Sequence, residues 1–146
     1  MDKTHTVGFL LKDLSRLYVQ RFEEHAKSIS MTLMQCKVLV NLDRSEGVSQ
    51  AKLAEMVSVE PMAMVRLLDR MEEDDLIERR PDPADRRARQ LYLTRKAKPK
   101  LDEIWRLAAV VRTEMLEGVS KSDRDIFLRV LDAAHANLSA LEREAN

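Results

Sequence analysis

The chain has 146 residues, about one domain, and its few aromatics, three glycines and four prolines favour helix and exclude an all-β fold. Its 25 basic and 25 acidic residues cancel, which taken alone argues against a nucleic-acid partner, and a single cysteine, Cys36, excludes an internal disulfide. The start Met-Asp-Lys-Thr-His-Thr lacks a secretory pattern, and the longest apolar run, Leu107 to Val111, is far below the ~20 residues of a membrane span; a cytoplasmic place and no membrane role are expected.

In chain order, Leu10, Leu11, Leu14, Leu17, Tyr18 and Phe22 mark the apolar stripe of a first helix over Val7 to Ile29. Thr32 and Gln35 have capping-box spacing, so a second helix runs from there to about Arg44 and is ended by Gly47. Ser49 is a good N-cap for a short third helix through Met56. A fourth begins near Glu60, with Pro61 in its first turn and Val65, Leu68 and Met71 as the buried side, and reaches about Asp74. Leu76 to Arg80 and Gln90 to Leu93 read as strands of a hairpin whose connection, Pro81-Asp82-Pro83-Ala84-Asp85, carries turn chemistry. Thr94 is placed to cap a long fifth helix ending near Gly118, and Ser120 with Asp123 opens a sixth through Leu141.

The neutral total hides an uneven distribution. From Arg79 to Lys100 there are nine basic residues against two acidic ones, Asp82 and Asp85, a local excess of seven that the rest of the chain offsets. Two short helices, a tight turn and a basic hairpin form the layout of a winged helix-turn-helix, whose second helix enters the major groove of DNA. With Val65, Leu68 and Met71 inward, Met62, Ala63, Arg66 and Arg70 are left outside. Arg66 is the natural base reader, its fork matching guanine, while Met62 or Ala63 suits a thymine methyl and Arg70 suits phosphate. On an isolated helix such arginines usually pair with carboxylates, here Asp69, Glu73 or Asp74. The hairpin tip, Asp85-Arg86-Arg87-Ala88-Arg89, changes that reading, because clustered arginine on a short tip fits the narrow, negative minor groove. Ser49 and Gln50, at the start of the third helix, complete the candidate DNA-contact set.

The stretches Leu53 to Glu60, Val65 to Glu72, Leu76 to Ala88 and Leu91 to Thr94 resemble the MarR/SlyA family, most strongly from Leu53 to Ala97. The resemblance implies a single domain over residues 1–146, mainly α, with the winged helix-turn-helix at about 32–94 and dimerisation helices at about 4–30 and 95–144. It implies that Asp85 orients an arginine, that Arg86 or Arg87 enters the minor groove and that Arg66 meets bases. Where the family usually has Lys-Gly at the end of the recognition helix this chain has Asp74-Asp75, and Met62 with Met64 makes the reading surface unusually apolar.

A homodimer on a near-palindromic operator is expected, since the first and last helices hold more Leu, Ile and Val than a small winged domain needs for itself. The family also implies a small aromatic or anionic effector, for which Arg16, Tyr18, Met34, Lys37 and Val38 are the candidate residues. Cys36 reads as an apolar core residue, with a thiol sensor as the alternative. His5, His25 and His135 are scattered and there is no phosphate-cradling glycine loop, so no enzyme, metal or cofactor is expected. The resulting expectation is a ligand-responsive repressor, the alternatives being an activator that displaces another DNA-binding protein and a winged-helix module for protein partners.

Overall fold

The computed structural model describes residues 6–145; the expected helical start at residue 4, and His5, lie outside them. The element order is α1 (Val7–Ala26), a single 3-10 turn (Lys27–Ile29), α2 (Leu33–Arg44), α3 (Gln50–Met56), α4 (Pro61–Glu73), β1 (Ile77–Pro81), β2 (Arg89–Leu93), α5 (Ala97–Met115) and α6 (Lys121–Ala145). None of the described helices is long and apolar enough to cross a membrane. The chain divides at Val111 into two units.

In the first unit the starts of α2, α3 and α4 each have a local cause. Thr32 Oγ1 accepts from the Gln35 amide at 3.1 Å while Gln35 Oε1 accepts from the Thr32 amide at 3.0 Å, a complete capping box. Ser49 Oγ accepts from the Lys52 amide, and the Glu60 carboxylate takes the amides of both Met62 and Ala63 behind Pro61. One core runs through this unit: Val38, Leu39 and Leu42 of α2, Leu53 of α3, Met64, Leu68 and Met71 of α4, and Leu91 of β2. Each such side chain contributes about 1.5–3 kcal/mol by leaving water.

The hairpin is antiparallel, with Ile77 opposite Leu93 and Pro81 opposite Arg89, so each strand holds one residue more at its tip end than the sequence reading gave. It is joined to the helices by a ladder of its own: Gly47 N donates to Leu91 O at 2.8 Å and Leu91 N to Val48 O at 3.0 Å. Two expectations change. Met64, not Val65, is the buried residue of the first turn, because Leu68 and Met71 define a face centred on position 64; Val65 is half-buried. Thr94 caps nothing: α5 starts only at Ala97, and the Thr94 hydroxyl instead donates to the carbonyl of Asp75.

That carbonyl belongs to a strained residue. Asp75 has φ +60°, the left-handed conformation that ends α4 and that costs any side chain more than glycine. In the second unit, Gly118 takes the same conformation after α5, Arg124 donates to the carbonyls of Leu116 and Val119, and Ser120 Oγ accepts from the Asp123 amide to start α6. Helix α6 buries none of its residues; Ile126, Val130, Leu138 and Leu141 all stand exposed.

Asp75→Gly is expected to raise stability by about 0.5–1 kcal/mol in urea unfolding, since the Lys96 pair lost with it is exposed on both sides. A loss of stability would contradict the strain assigned to this turn.

Candidate nucleic-acid interface

The nine basic residues of the hairpin segment do not act alike. Arg79, on β1, turns inward and is only 16% exposed at its side chain. Its Nε donates to Gln50 Oε1 at 3.2 Å, one terminal nitrogen to Asp69 Oδ1 at 2.7 Å and the other to the Val65 carbonyl at 3.2 Å. Glu72 lies 3.5 Å from the same guanidinium and accepts the Arg79 amide at 3.1 Å. Arg80 pairs with Glu78 and stacks 3.9 Å from the Tyr92 ring centre. Lys96, Lys98 and Lys100 pair with Asp75, Asp102 and Glu103.

Four cations remain without a partner among the described residues: Arg86, Arg87 and Arg89 of the wing, and Arg95 just beyond it, all exposed. The wing tip is fixed by turn bonds. Asp82 Oδ1 accepts from the Ala84 amide at 2.8 Å and Asp85 Oδ1 from the Arg87 amide at 2.9 Å. Asp85 therefore holds backbone and leaves the arginine side chains to solvent. A cleft of about 450 Å³ between wing and α3 is lined by Ser49, Gln50, Arg87 and Arg89.

On α4, Arg66 and Arg70 are exposed and also unpaired among the described residues, and Asp69, one of their candidate partners, is held by Arg79. Met62 is 65% exposed, Ala63 half-buried and Met64 fully buried, so the apolar reading surface consists of Met62 with the edge of Ala63. Gln50 is committed to Arg79, and the Ser49 hydroxyl to its cap. Sequence reasoning missed Glu60 as the cap of α4, the internal role of Arg79 and the freedom of Arg95; an Arg placed at the inward alternation of β1, opposite Leu91, was the available signal for the second.

The candidate effector residues separate. Tyr18 and Lys37 line an apolar cleft of about 240 Å³ with Phe22, Cys36, Ile104 and Trp105. Val38 is wholly buried, Met34 packs half-buried against the core, and Arg16 pairs with Asp13 beside Phe9 and Leu10 instead. The third wall comes from α5, too distant in sequence for spacing to reveal. Cys36 is 2% exposed, and burial pushes its thiol from 9.0 up to about 11. Among the described residues no group of three His, Cys, Asp or Glu is arranged to hold a metal ion.

A three-helix core with a hairpin closed against it, a second short helix presenting a free arginine line and a wing tipped with arginine define a winged helix-turn-helix DNA-binding protein. The MarR family model matches residues 31–88, the span from α2 to the wing tip. The transcriptional regulator PA3341 is 32% identical, with TM-score 0.71 over 91% of this chain and 98% of that one. Apo wild-type MarR from E. coli superposes with TM-score 0.82 at 21% identity, over 88% of this chain and 95% of that one. The transcriptional repressor CouR, bound to a 23-mer DNA duplex, gives 0.72 at 26% identity, over 90% and 94%. The chain belongs to the MarR family of winged-helix transcriptional regulators, which bind DNA.

Two measurements check this geometry. Arg79→Met is expected to cost about 2 kcal/mol, lowering Tm by roughly 4–8 °C, whereas Arg86→Ala should leave Tm unchanged; equal effects would refute the inward role of Arg79. For Cys36, burial favours the neutral thiol, so its contribution to stability is intact below about pH 9.0 and is lost as pH rises through about 11. At pH 8 ionisation alone makes iodoacetamide about 100-fold slower on the folded than on the urea-unfolded chain. Rapid labelling of the folded protein would restore the sensor alternative.

Proposed function

We propose that this protein binds a near-palindromic duplex operator as a homodimer and represses transcription, releasing its site when a small aromatic anion binds. The unpaired Arg86, Arg87 and Arg89 on a tip shaped by turn bonds are the observation that carries the DNA reading. Guanidinium groups held at a tip but free of carboxylates keep their attraction for the negative minor groove, while Arg66 lies on the outward line of α4, where base edges are met. CouR, a repressor of the same fold seen on duplex DNA, supports the choice of repression and of partner.

A second copy of the chain is the partner that accounts for the apolar faces of the terminal helices. Phe9 and Leu10 on α1 are 81% and 66% exposed, and Leu138 on α6 is 69% exposed, values hard to reconcile with a lone chain in water. Two recognition helices one DNA turn apart follow from such a dimer. The cleft around Tyr18 and Trp105 supports the effector: it is apolar and ring-lined, and Lys37 brings a cation to its rim.

Genomic fragments selected for binding and sequenced supply the operator. On that duplex, log affinity is expected to fall steeply with log salt, and Arg87→Ala to reduce the slope by about one per subunit while weakening binding on most sequences. Arg66→Ala should instead relax discrimination at one base pair by about 1–3 kcal/mol. Salt-insensitive binding, or none, would remove the repressor reading. For the effector, titrating benzoate should change the fluorescence of Trp105, the chain's one tryptophan, and Lys37→Met should weaken that response about tenfold or more. An unchanged response in the variant would place the anion elsewhere.

A further inference from the structure

The methionines differ in burial: Met64 and Met71 are fully enclosed, Met31 is 8% and Met56 38% exposed, and Met62, at the start of α4, is the most exposed of those described at 65%. Helical geometry puts Met62 and Arg66 on one outward line, one turn apart, opposite the face made by Met64, Leu68 and Met71. The polar groups around Met62 are already engaged. Both Glu60 oxygens point back to cap the amides of Met62 and Ala63, and Asp69 is held by Arg79. The first turn of α4 therefore offers neither free backbone donors nor a cation, and the Glu60 charge disfavours phosphate there. What it presents outward is a thioether side chain.

In the major groove the apolar feature of a base edge is the methyl group at C5 of thymine. Side chains four apart on a helix have Cβ atoms about 5–6 Å from each other, so a methyl met by Met62 lies within one or two base pairs of a guanine held by Arg66. We infer that Met62 is a specificity-determining residue that reads the C5-methyl of a pyrimidine beside the guanine bound by Arg66. The inference rests on the DNA-binding reading above and adds the chemical class of site: a methylated pyrimidine step in place of one read by hydrogen bonds alone. Methionine suits the task, because its unbranched, polarisable chain adapts to a small convex group.

The test uses a selected genomic fragment prepared as two duplexes that differ only in whether the pyrimidine beside the Arg66-dependent guanine of each half-site is thymine or uracil, that is, in that methyl alone. The wild-type protein is expected to bind the thymine duplex about 4-fold more tightly for one methyl buried, and about 15-fold for two half-sites. Met62→Ala should bind both duplexes equally, at the weaker level, and Met62→Leu should keep most of the discrimination. Arg87→Ala should weaken both and leave their ratio unchanged. Equal binding of the two duplexes by the wild-type protein overturns the inference, as does a Met62→Ala variant that still discriminates, since another residue then reads the methyl. Binding to neither duplex removes the DNA-binding reading itself, and with it this assignment.

Discussion

The guanidinium of Arg79 is the interaction on which the DNA-facing half of this protein depends. It joins Gln50 of α3, Val65 and Asp69 of α4 and, through its own amide, Glu72, elements separated by up to 29 residues in sequence. Arginine fits this position because its several donors lie in one rigid plane; lysine would supply a single point charge on a flexible stem. The carboxylates it meets are half-exposed, so much of the value lies in geometry rather than in Coulomb energy. Through this residue the base of the wing is fixed to the recognition helix.

A second consequence is electrostatic. Asp69, held by Arg79, cannot neutralise Arg66 or Arg70, and the acidic group at the end of α4 is partly spent on Arg79 and on Lys96. The wing's own turns use Asp82 and Asp85 as backbone acceptors. A chain of zero formal charge thus shows unpaired arginines along the recognition helix and the wing, with Glu73 and Asp74 as the exposed acidic residues that follow Arg70. Fields of that kind act over about 8–10 Å at ordinary salt, enough to govern a surface in contact with phosphate and too short to be cancelled by distant carboxylates.

The fold was largely legible because its signals are local. Thr32 with Gln35, Ser49, and Ser120 with Asp123 each announce a helix start by a bond that closes within three residues, and each is present, as is Pro61 in the first turn of α4. The left-handed turn at Asp75 was foreshadowed by the missing glycine. Misreadings arose where a neighbour distant in sequence decides the outcome. Thr94 has the chemistry of a cap, yet Asp75 claims its hydroxyl; Met64 and Val65 differ by one step of the helix, and packing against α3 and β1 chooses between them. Arg79 belongs by sequence to the basic arm, but Gln50 and Asp69, 29 and 10 residues away, turn it inward. The cleft proposed for an effector was half visible, since Tyr18 and Lys37 come from α1 and α2 but Ile104 and Trp105 from α5.

With its donors spent on Gln50, Val65 and Asp69, Arg79 is expected to position the DNA-binding surface without touching DNA, and the salt dependence of Arg79→Met binding to the selected operator tests this most directly. Affinity should fall while the slope of log affinity against log salt stays at the wild-type value, because no phosphate contact is lost. A slope reduced by about one per subunit, as for a phosphate-bound cation, would place Arg79 on the DNA and contradict the account.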